Sequence, residues 1–166
     1  MGLHETAEEL VTELRRENRK IALAESCTGG LAAKALTDIP GASEVFECGV
    51  VSYSSRIKEK VLGVDPQTIR KYSVVSRPVA EQMAEGVRVL GDADLGVGIT
   101  GVAGPGPDGE HPEGEIHIAV SDGTHMEYVL LQTGTHGERA YNRTTAAERA
   151  LRLAAELLKR GTSHVR

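Results

Sequence analysis

The sequence IALAESCTGGL at residues 21–31 passes from a short apolar run into a polar turn and then into helix-forming residues. The apolar run at residues 21–24 suits a buried strand, and a helix is expected from Leu31 onward. Ser26 and Cys27 would therefore lie at a helix N-terminus, where backbone N–H groups are unpaired and the helix dipole favours negative charge. Such a turn could stabilise an oxyanion or a phosphate. The alternative is a capped helix after a buried strand, with no chemical role.

The rest of the chain alternates between helix and strand patterns, and caps, glycines and prolines predict where the elements end. Helices are expected over residues 3–18, 31–38, 56–62, a short stretch from Asp65-Pro66, 77–90 and 137–160. Strands are expected over residues 21–24, 44–54 and 94–100, followed by a hairpin whose two strands contain Ile116, Ile118 and Val120, and Met126, Tyr128 and Leu130.

This order of elements predicts an α/β fold, a three-layer α/β/α sandwich. The hairpin requires an antiparallel strand, so we expect a mixed, mainly parallel sheet of about five strands. A single domain over residues 1–166 suits the length. Ligands of open α/β sheets bind at the carboxyl ends of the strands. The turn after Glu25, the residues after Val51 and the loop TGVAGPGPDG at residues 100–109 should all lie at that edge.

Composition excludes several classes of protein. The net charge is −5, and the aromatic residues are one Phe and four Tyr with no Trp, which argues against a nucleic-acid or membrane-surface partner. Cys27 and Cys48 lack metal-ligand spacing, and the six histidines form no HxxxH or HExxH motif, so we expect no metal site. No signal peptide or membrane span is evident, which predicts a cytoplasmic protein with free thiols.

Candidate catalytic groups follow the second strand. Tyr53 precedes Lys58 by five residues, so a phenol and an ammonium come within reach of each other across a strand–helix junction. A nearby cation lowers the pKa of Tyr, and burial lowers the pKa of Lys. Either group could then act as a base for a serine such as Ser26. The alternative is a surface lysine beside a strand-end tyrosine.

The glycine-rich loop and two arginines are candidate binding groups. The loop at residues 100–109 offers backbone N–H groups for a phosphate or an oxyanion, but it has neither a P-loop ending nor a dinucleotide fingerprint. Arg139 and Arg143 lie four residues apart on one helical face and suit a phosphate or carboxylate. The alternatives are a flexible connector for the loop, and a solvated face with Glu138 for the arginines. Cys27 could be a low-pKa thiolate, but no local sequence places a His partner beside it.

These residues resemble a known family, the C-terminal domain of the CinA competence/damage-inducible proteins, which also occurs as the stand-alone nicotinamide-nucleotide amidase PncC. The resemblance rests on six stretches that keep the family's order and spacing over nearly the whole chain. They are AESCTGG at 24–30, PGAS at 40–43, VSYSSRIKEKVLGV at 51–64, VS at 75–76, TGVAGP at 100–105 and ER…RTTAAERAL at 138–151. The chain lacks the N-terminal domain of full-length CinA, so we expect the stand-alone form.

The resemblance implies a three-layer sandwich and hydrolysis of the carboxamide of nicotinamide mononucleotide to nicotinic acid mononucleotide and ammonia. It places the proposed catalytic set on Ser26, Tyr53 and Lys58. The chain departs from the family pattern at Ser55, often Asn, at GPGPDG, often GPGGG, and at residues 111–114, HPEG where the family often has KPVG. These departures affect loop conformation and ligand preference. A homo-oligomer, most simply a dimer, is also expected from the family.

We therefore hypothesise that Ser26 attacks the carboxamide while the Tyr53–Lys58 pair transfers the proton, with no metal or organic cofactor. Substrate contacts are expected from a wider set: Thr28, Gly29 and Gly30 in the turn, Thr100, Gly101, Ala103 and Gly104 in the loop, and Arg139 and Arg143. One rival is a non-catalytic nucleotide-binding or partner-interaction domain in competence or DNA-damage physiology. The other rival is a Cys27-dependent hydrolase.

Overall fold

The computed structural model describes residues 1–134 and 137–163, with the side chains of residues 162 and 163 left undescribed. The helices are α1 (Leu3–Glu17), α2 (Leu31–Thr37), α3 (Ser55–Leu62), α4 (Pro66–Tyr72), α5 (Arg77–Leu90) and α6 (Arg139–Ser163). The strands are β1 (Ile21–Glu25), β2 (Phe46–Val51), β3 (Leu95–Gly101), β4 (Glu115–Ser121) and β5 (Met126–Gln132). A short 3₁₀ turn at Ala42–Glu44 comes before β2.

The strands form one sheet in the order β2-β1-β3-β4-β5. β1 pairs in parallel with β2 and β3, whereas β4 is antiparallel to both β3 and β5. Four of the five strands therefore point the same way, and β4 runs against them. The prediction of an α/β sandwich with a mixed sheet is confirmed.

Helices cover both faces of this sheet. α5 lies on one face, across β1, β3 and β4, with α3 and α4 packed against it. It can approach β3 closely because Gly96 and Gly98 have no side chains. A Cβ added to Gly96 would lie 2.1 Å from the carbonyl oxygen of Ala84, and one added to Gly98 would lie 2.3 Å from that of Ala80. The close contact holds the helix that follows the Val74–Val75 segment firmly on the sheet.

The opposite face carries α1, α2 and α6. Their inner sides, rich in alanine and leucine, join the larger apolar core with the sheet residues of β1, β3 and β4. The fully buried members include Leu10, Leu14, Leu23, Ile118 and Leu151. Burial of such side chains stabilises the fold by roughly 1.5–3 kcal/mol each relative to exposure, so the sheet is a rigid support for groups at its edge.

The element boundaries differ from expectation mainly before and after β2. The strand expected over residues 44–54 is shorter in the structure. Glu44 belongs to the 3₁₀ turn before the strand, and Ser54 is the N-cap of α3 after it. Ser52 and Tyr53 thus lie in the connection between strand and helix. Of the helices in the part of the chain that the structure describes, none is long and apolar enough to cross a membrane.

Candidate active site

Ser26 lies directly after β1, the strand between β2 and β3, at the sheet's carboxyl edge. Its backbone N–H donates to the carbonyl of Ile99 in β3, at 3.0 Å. On the other side, the N–H of Ser52 donates to the carbonyl of Glu25 at 2.8 Å. The two bonds extend the β ladder past β1, so the backbone around Ser26 is fixed on both sides.

Lys58 comes from α3, whose first turn is capped by the Ser54 hydroxyl accepting from the N–H of Ile57 at 3.3 Å. The lysine side chain is almost fully buried and points at the end of β1. Its Nζ lies 2.9 Å from Ser26 Oγ and donates to the carbonyl of Ser52 at 2.6 Å. A longer contact of 3.5 Å reaches the carbonyl of Tyr53.

Burial lowers the pKa of Lys58 to about 8, because a charged ammonium is poorly solvated inside the protein. A neutral amine has two N–H donors and one lone pair. In the ammonium form Nζ donates to Ser26 Oγ as well as to the two carbonyls. In the neutral form the carbonyls of Ser52 and Tyr53 can accept from the two remaining N–H groups, which leaves the lone pair to accept the hydroxyl proton of Ser26. This is the arrangement that a serine nucleophile with a lysine base requires.

The phenol of Tyr53 has different partners. Its oxygen accepts a hydrogen bond from Nη2 of Arg139 at 3.1 Å, and Nη1 of the same guanidinium donates to the carbonyl of Gly104. The tyrosine side chain is 62% exposed. Tyr53 therefore contributes its backbone carbonyl to the lysine, while its ring lies at the exposed side of the site with Arg139.

The sequence predicted unpaired N–H groups at the N-terminus of α2, but two of them are bonded within the protein. The buried carboxylate of Glu25 accepts from the N–H groups of Ala32 at 2.9 Å and Ala33 at 3.0 Å. The expectation of free first-turn donors is wrong for these two groups, because a carboxylate of the chain already occupies the position that the helix dipole favours. Glu25 thereby fixes the turn that follows Ser26.

Arg143 holds the same turn from the other side. Its Nε donates to the carbonyl of Cys27 at 3.1 Å and its Nη2 to that of Thr28 at 2.8 Å. Within the turn, the N–H of Gly29 donates to the carbonyl of Ser26 at 3.0 Å. Gly29 and Gly30 have φ values of 60° and 98°, a left-handed conformation that favours glycine. The predicted Arg143 thus reaches the site through backbone carbonyls.

Part of the glycine-rich loop is also engaged within the protein. Thr100 Oγ1 donates to the carbonyl of Val74 at 2.8 Å. The carboxylate of Glu113 accepts from the N–H of Gly106 at 2.8 Å and from that of Gly137 at 2.7 Å. The loop is therefore tied to the α4–α5 connection and to the segment before α6, instead of hanging free as a connector.

A cavity of about 170 Å³ opens beside the serine and lysine. The predicted site residues that line it are Ser26, Tyr53, Lys58, Thr100, Gly101, Ala103 and Arg139. The other predicted residues are not among the lining residues: Thr28, Gly29 and Gly30 lie in the turn after Cys27, Gly104 lies in the loop next to Ala103, and Arg143 reaches the turn from α6. The cavity thus joins all three stretches that the sequence placed at the carboxyl edge of the sheet.

Cys27 also lines the cavity, but burial raises the pKa of its thiol to about 12. The thiol is therefore protonated at neutral pH, which corrects the idea of a low-pKa thiolate at a helix N-terminus. Among the described residues, no group of three or more His, Cys, Asp or Glu side chains is placed to hold a metal ion. His136 and His164 lie outside the described residues.

Sequence reasoning missed several contributors to this site. Four further residues line the cavity: Ser55, Val74, Val75 and Asp108. The contact of Glu25 with the N–H groups of α2 was not predicted, because capping patterns place the acceptor at the N-cap or in the first turn and not six residues before the helix. Val74 and Val75 carry no chemical signal, because an apolar pair is equally typical of the core.

Comparison with known proteins shows which family has this sequence. A family model described as the CinA C-terminal domain matches residues 3–158. A CinA-like protein of Chlorobium limicola is 43% identical over 97% of the chain, and one of Anaeromyxobacter sp. is 44% identical over 92%. The chain spans 39% and 37% of the lengths of these two relatives.

Solved structures share the fold. The competence/damage inducible protein CihA from Agrobacterium tumefaciens has a TM-score of 0.89 and 34% identity, covering 93% of this chain and 94% of that one. A competence-damaged protein (CinA) superfamily member from Klebsiella pneumoniae has a TM-score of 0.91 and 28% identity, covering 96% of this chain and 99% of that one.

Proposed function

Because the chain belongs to the CinA C-terminal domain family, we propose that it is an amidohydrolase acting on the carboxamide of nicotinamide mononucleotide. The products are nicotinic acid mononucleotide and ammonia. The observation that carries this proposal is the 2.9 Å contact between Lys58 Nζ and Ser26 Oγ, made by a buried lysine. A serine beside an unprotonated lysine can form and release an acyl group.

In the proposed mechanism Ser26 Oγ attacks the carboxamide carbon as its proton passes to Lys58 Nζ. The tetrahedral intermediate collapses when the C–N bond breaks, and the departing nitrogen takes the proton from Lys58 and leaves as ammonia. Water then attacks the resulting ester while Lys58 accepts its proton. Finally the serine oxygen leaves and regains a proton from Lys58, so the enzyme returns to its starting state.

Backbone N–H groups of the turn are the proposed oxyanion donors. Gly29 N–H is already engaged with the carbonyl of Ser26, so the proposal falls on Thr28 and Gly30. Glu25 and Arg143 hold this turn from opposite sides, and such preorganisation lowers the cost of stabilising a developing charge. Loss of one donor of this kind lowers the rate by roughly 100- to 1,000-fold.

Two charged groups of the cavity suit the rest of the nucleotide. Arg139 is the proposed partner of the phosphate, since its guanidinium lies at the exposed side of the site beside Tyr53. Asp108 also lines the cavity, and its carboxylate suits the positive charge of the substituted pyridine ring. The predicted Thr100, Gly101, Ala103 and Gly104 would supply the surrounding backbone.

The test is ammonia release from nicotinamide mononucleotide by the wild type, Ser26→Ala and Cys27→Ala. We expect release by the wild type and by Cys27→Ala, and its loss in Ser26→Ala. Absence of release by the wild type together with binding of the nucleotide would favour the non-catalytic nucleotide-binding domain instead. Loss in Cys27→Ala alone would favour the thiol hydrolase.

The location, the partners and the oligomeric state of the protein are also proposals. We propose a cytoplasmic protein that acts on a small molecule, with no nucleic acid or membrane partner, in keeping with its net charge of −5. A homo-oligomer, most simply a dimer, is proposed by analogy with the family. Light scattering coupled to size-exclusion chromatography measures the number of subunits directly.

A further inference from the structure

His111 lies outside the catalytic contacts, in the loop between β3 and β4, yet it connects two segments that line the cavity. Its Nε2 lies 3.2 Å from the hydroxyl of Ser73, the residue immediately before Val74 and Val75. Its backbone pairs with Asp108: the Asp108 N–H donates to the His111 carbonyl at 2.9 Å, and the reverse bond is 3.0 Å. His111 therefore connects two parts of the cavity lining: the Val74–Val75 wall, which follows Ser73, and the segment that carries Asp108.

The other ring nitrogen anchors His111 to the sheet. Its Nδ1 lies 3.1 Å from Oε1 of Glu115 at the start of β4, and the same oxygen is 2.8 Å from Nε2 of His117. Nδ1 of His117 in turn lies 2.7 Å from the phenol oxygen of Tyr128 on β5. A continuous chain of polar contacts thus runs from the edge of the sheet to Ser73.

The contacts along this chain of polar groups are compatible with a simple assignment of donors and acceptors. We assign the histidine tautomers so that Glu115 accepts from Nδ1–H of His111 and from Nε2–H of His117. The remaining lone pairs accept the hydroxyl protons of Ser73 and Tyr128. In this assignment His111 is a bridge whose Nδ1–H donates to Glu115 and whose Nε2 accepts from Ser73.

Ser73 needs such a partner. Its φ is 73°, in the left-handed region that a serine rarely adopts, and its hydroxyl also accepts from the N–H of Val75 at 3.3 Å. Strained backbone persists where surrounding contacts determine it. His111 is one of these contacts, and Thr100, through the Val74 carbonyl, is another.

We propose that His111 is a positioning residue for substrate binding, which sets the distance between the Val74–Val75 wall and Asp108. The inference rests on the proposed function for the identity of the substrate. In that setting the apolar wall packs against the pyridine ring and Asp108 faces its positive charge. His111 has no contact with Ser26 or Lys58 among the described hydrogen bonds, so it acts on binding and leaves the chemical step unchanged.

Three substitutions separate the two ends of the bridge. His111→Ala removes both ring contacts. His111→Gln keeps a polar atom near the position of Nε2 and so can still contact Ser73, whereas His111→Asn keeps one near Nδ1 and can contact only Glu115. His125→Ala is the matched control, because His125 is exposed in the β4–β5 turn and contacts Asp122 there.

The experiment measures kcat, KM and the pH profile for nicotinamide mononucleotide in all five proteins. Loss of one hydrogen bond is worth roughly a fivefold to tenfold change in an equilibrium. We expect that increase in KM for His111→Ala and His111→Asn, with kcat within about twofold of wild type and the pH midpoint unchanged. His111→Gln and His125→Ala should keep the wild-type KM.

Amide hydrogen exchange on the same proteins gives a readout that needs no substrate. The N–H groups of Val75 and Asp108 should exchange faster in His111→Ala and His111→Asn, while those of Ser26 and Ser52 stay unchanged. An unchanged KM in His111→Ala, a KM as high in His111→Gln as in His111→Ala, or unchanged exchange at Val75 and Asp108 would overturn the inference. If the wild type hydrolyses no nucleotide while exchange at Val75 and Asp108 is faster in His111→Ala and His111→Asn, only the proposed function is contradicted.

Discussion

The guanidinium of Arg139 donates a 3.1 Å hydrogen bond to the phenol oxygen of Tyr53, so this phenol has Arg139 as its hydrogen-bond partner among the described residues. Lys58, in contrast, reaches Ser26 Oγ directly from a buried position. The pair of bases that the sequence indicated therefore divides into two roles. Lys58 is placed for proton transfer, and Tyr53 supplies a carbonyl to the lysine and a ring beside Arg139.

Tyr53→Phe should have a small effect on turnover. The substitution removes the bond to Arg139 but keeps the backbone carbonyl that faces Lys58. We expect kcat to fall by less than about tenfold, whereas Lys58→Met should lose the roughly 100- to 10,000-fold contribution of a general base. Steady-state ammonia release measures both, and a Tyr53→Phe variant as inactive as Lys58→Met would assign the proton transfer to the phenol.

Activity should rise with pH because the base must be the neutral amine. Burial lowers the pKa of Lys58 to about 8, so most molecules carry an ammonium at pH 7 and lose it above pH 8. We expect kcat/KM to increase through a midpoint of about 8 and then to level off. A flat profile between pH 6 and 10, with the wild type stably folded throughout, would contradict this role.

The same shift links stability to pH, which provides an independent check. The folded protein binds fewer protons than the unfolded chain between about 8 and the ordinary lysine value of 10.5, so its free energy of unfolding rises with pH in that window. Lys58→Met should lack this rise. Urea unfolding at several pH values measures the difference between the two proteins.

Glu25→Ala should destabilise the folded protein. The substitution leaves the N–H groups of Ala32 and Ala33 without their carboxylate acceptor inside the protein. We expect a loss of about 1–3 kcal/mol in the free energy of unfolding, with a smaller loss in Glu25→Gln, which keeps one acceptor oxygen. Chemical denaturation measures this, and wild-type stability in Glu25→Ala would exclude the capping role.

Arg143→Ala and Arg139→Ala should affect different kinetic constants. Arg143 holds the carbonyls of Cys27 and Thr28, so its loss should lower kcat about tenfold or more with little change in KM. Arg139 lines the cavity, so its loss should raise KM. Arg149→Ala on the same helix is a control, since Arg149 pairs with Glu156 instead. A raised KM in Arg143→Ala would restore the predicted contact with the phosphate.

Much of the fold could be predicted from local patterns. The helices predicted over residues 3–18, 56–62 and 77–90 lie within one residue of α1, α3 and α5, because apolar spacing and end signals are local. Ser26, Tyr53 and Lys58 were also brought to one cavity as expected. This succeeded because the carboxyl ends of β1 and β2 are adjacent in any sheet of this order.

The supporting contacts could not be predicted in the same way. Arg143 meets Cys27 and Thr28 across more than a hundred residues, and the partner of His111 on the α4–α5 connection is Ser73. Such pairings depend on which helix packs on which face of the sheet. The sequence showed paired arginines and a departure at HPEG, but a tertiary contact decides what either one touches.

The central claim is that Ser26 and Lys58 act as one catalytic unit, and a double-mutant cycle on ammonia release from nicotinamide mononucleotide tests it most directly. We predict that Ser26→Ala, Lys58→Met and the double variant all lose activity to a similar level, because neither group works without the other. Losses that multiply in the double variant, or turnover that survives Ser26→Ala, would contradict the account.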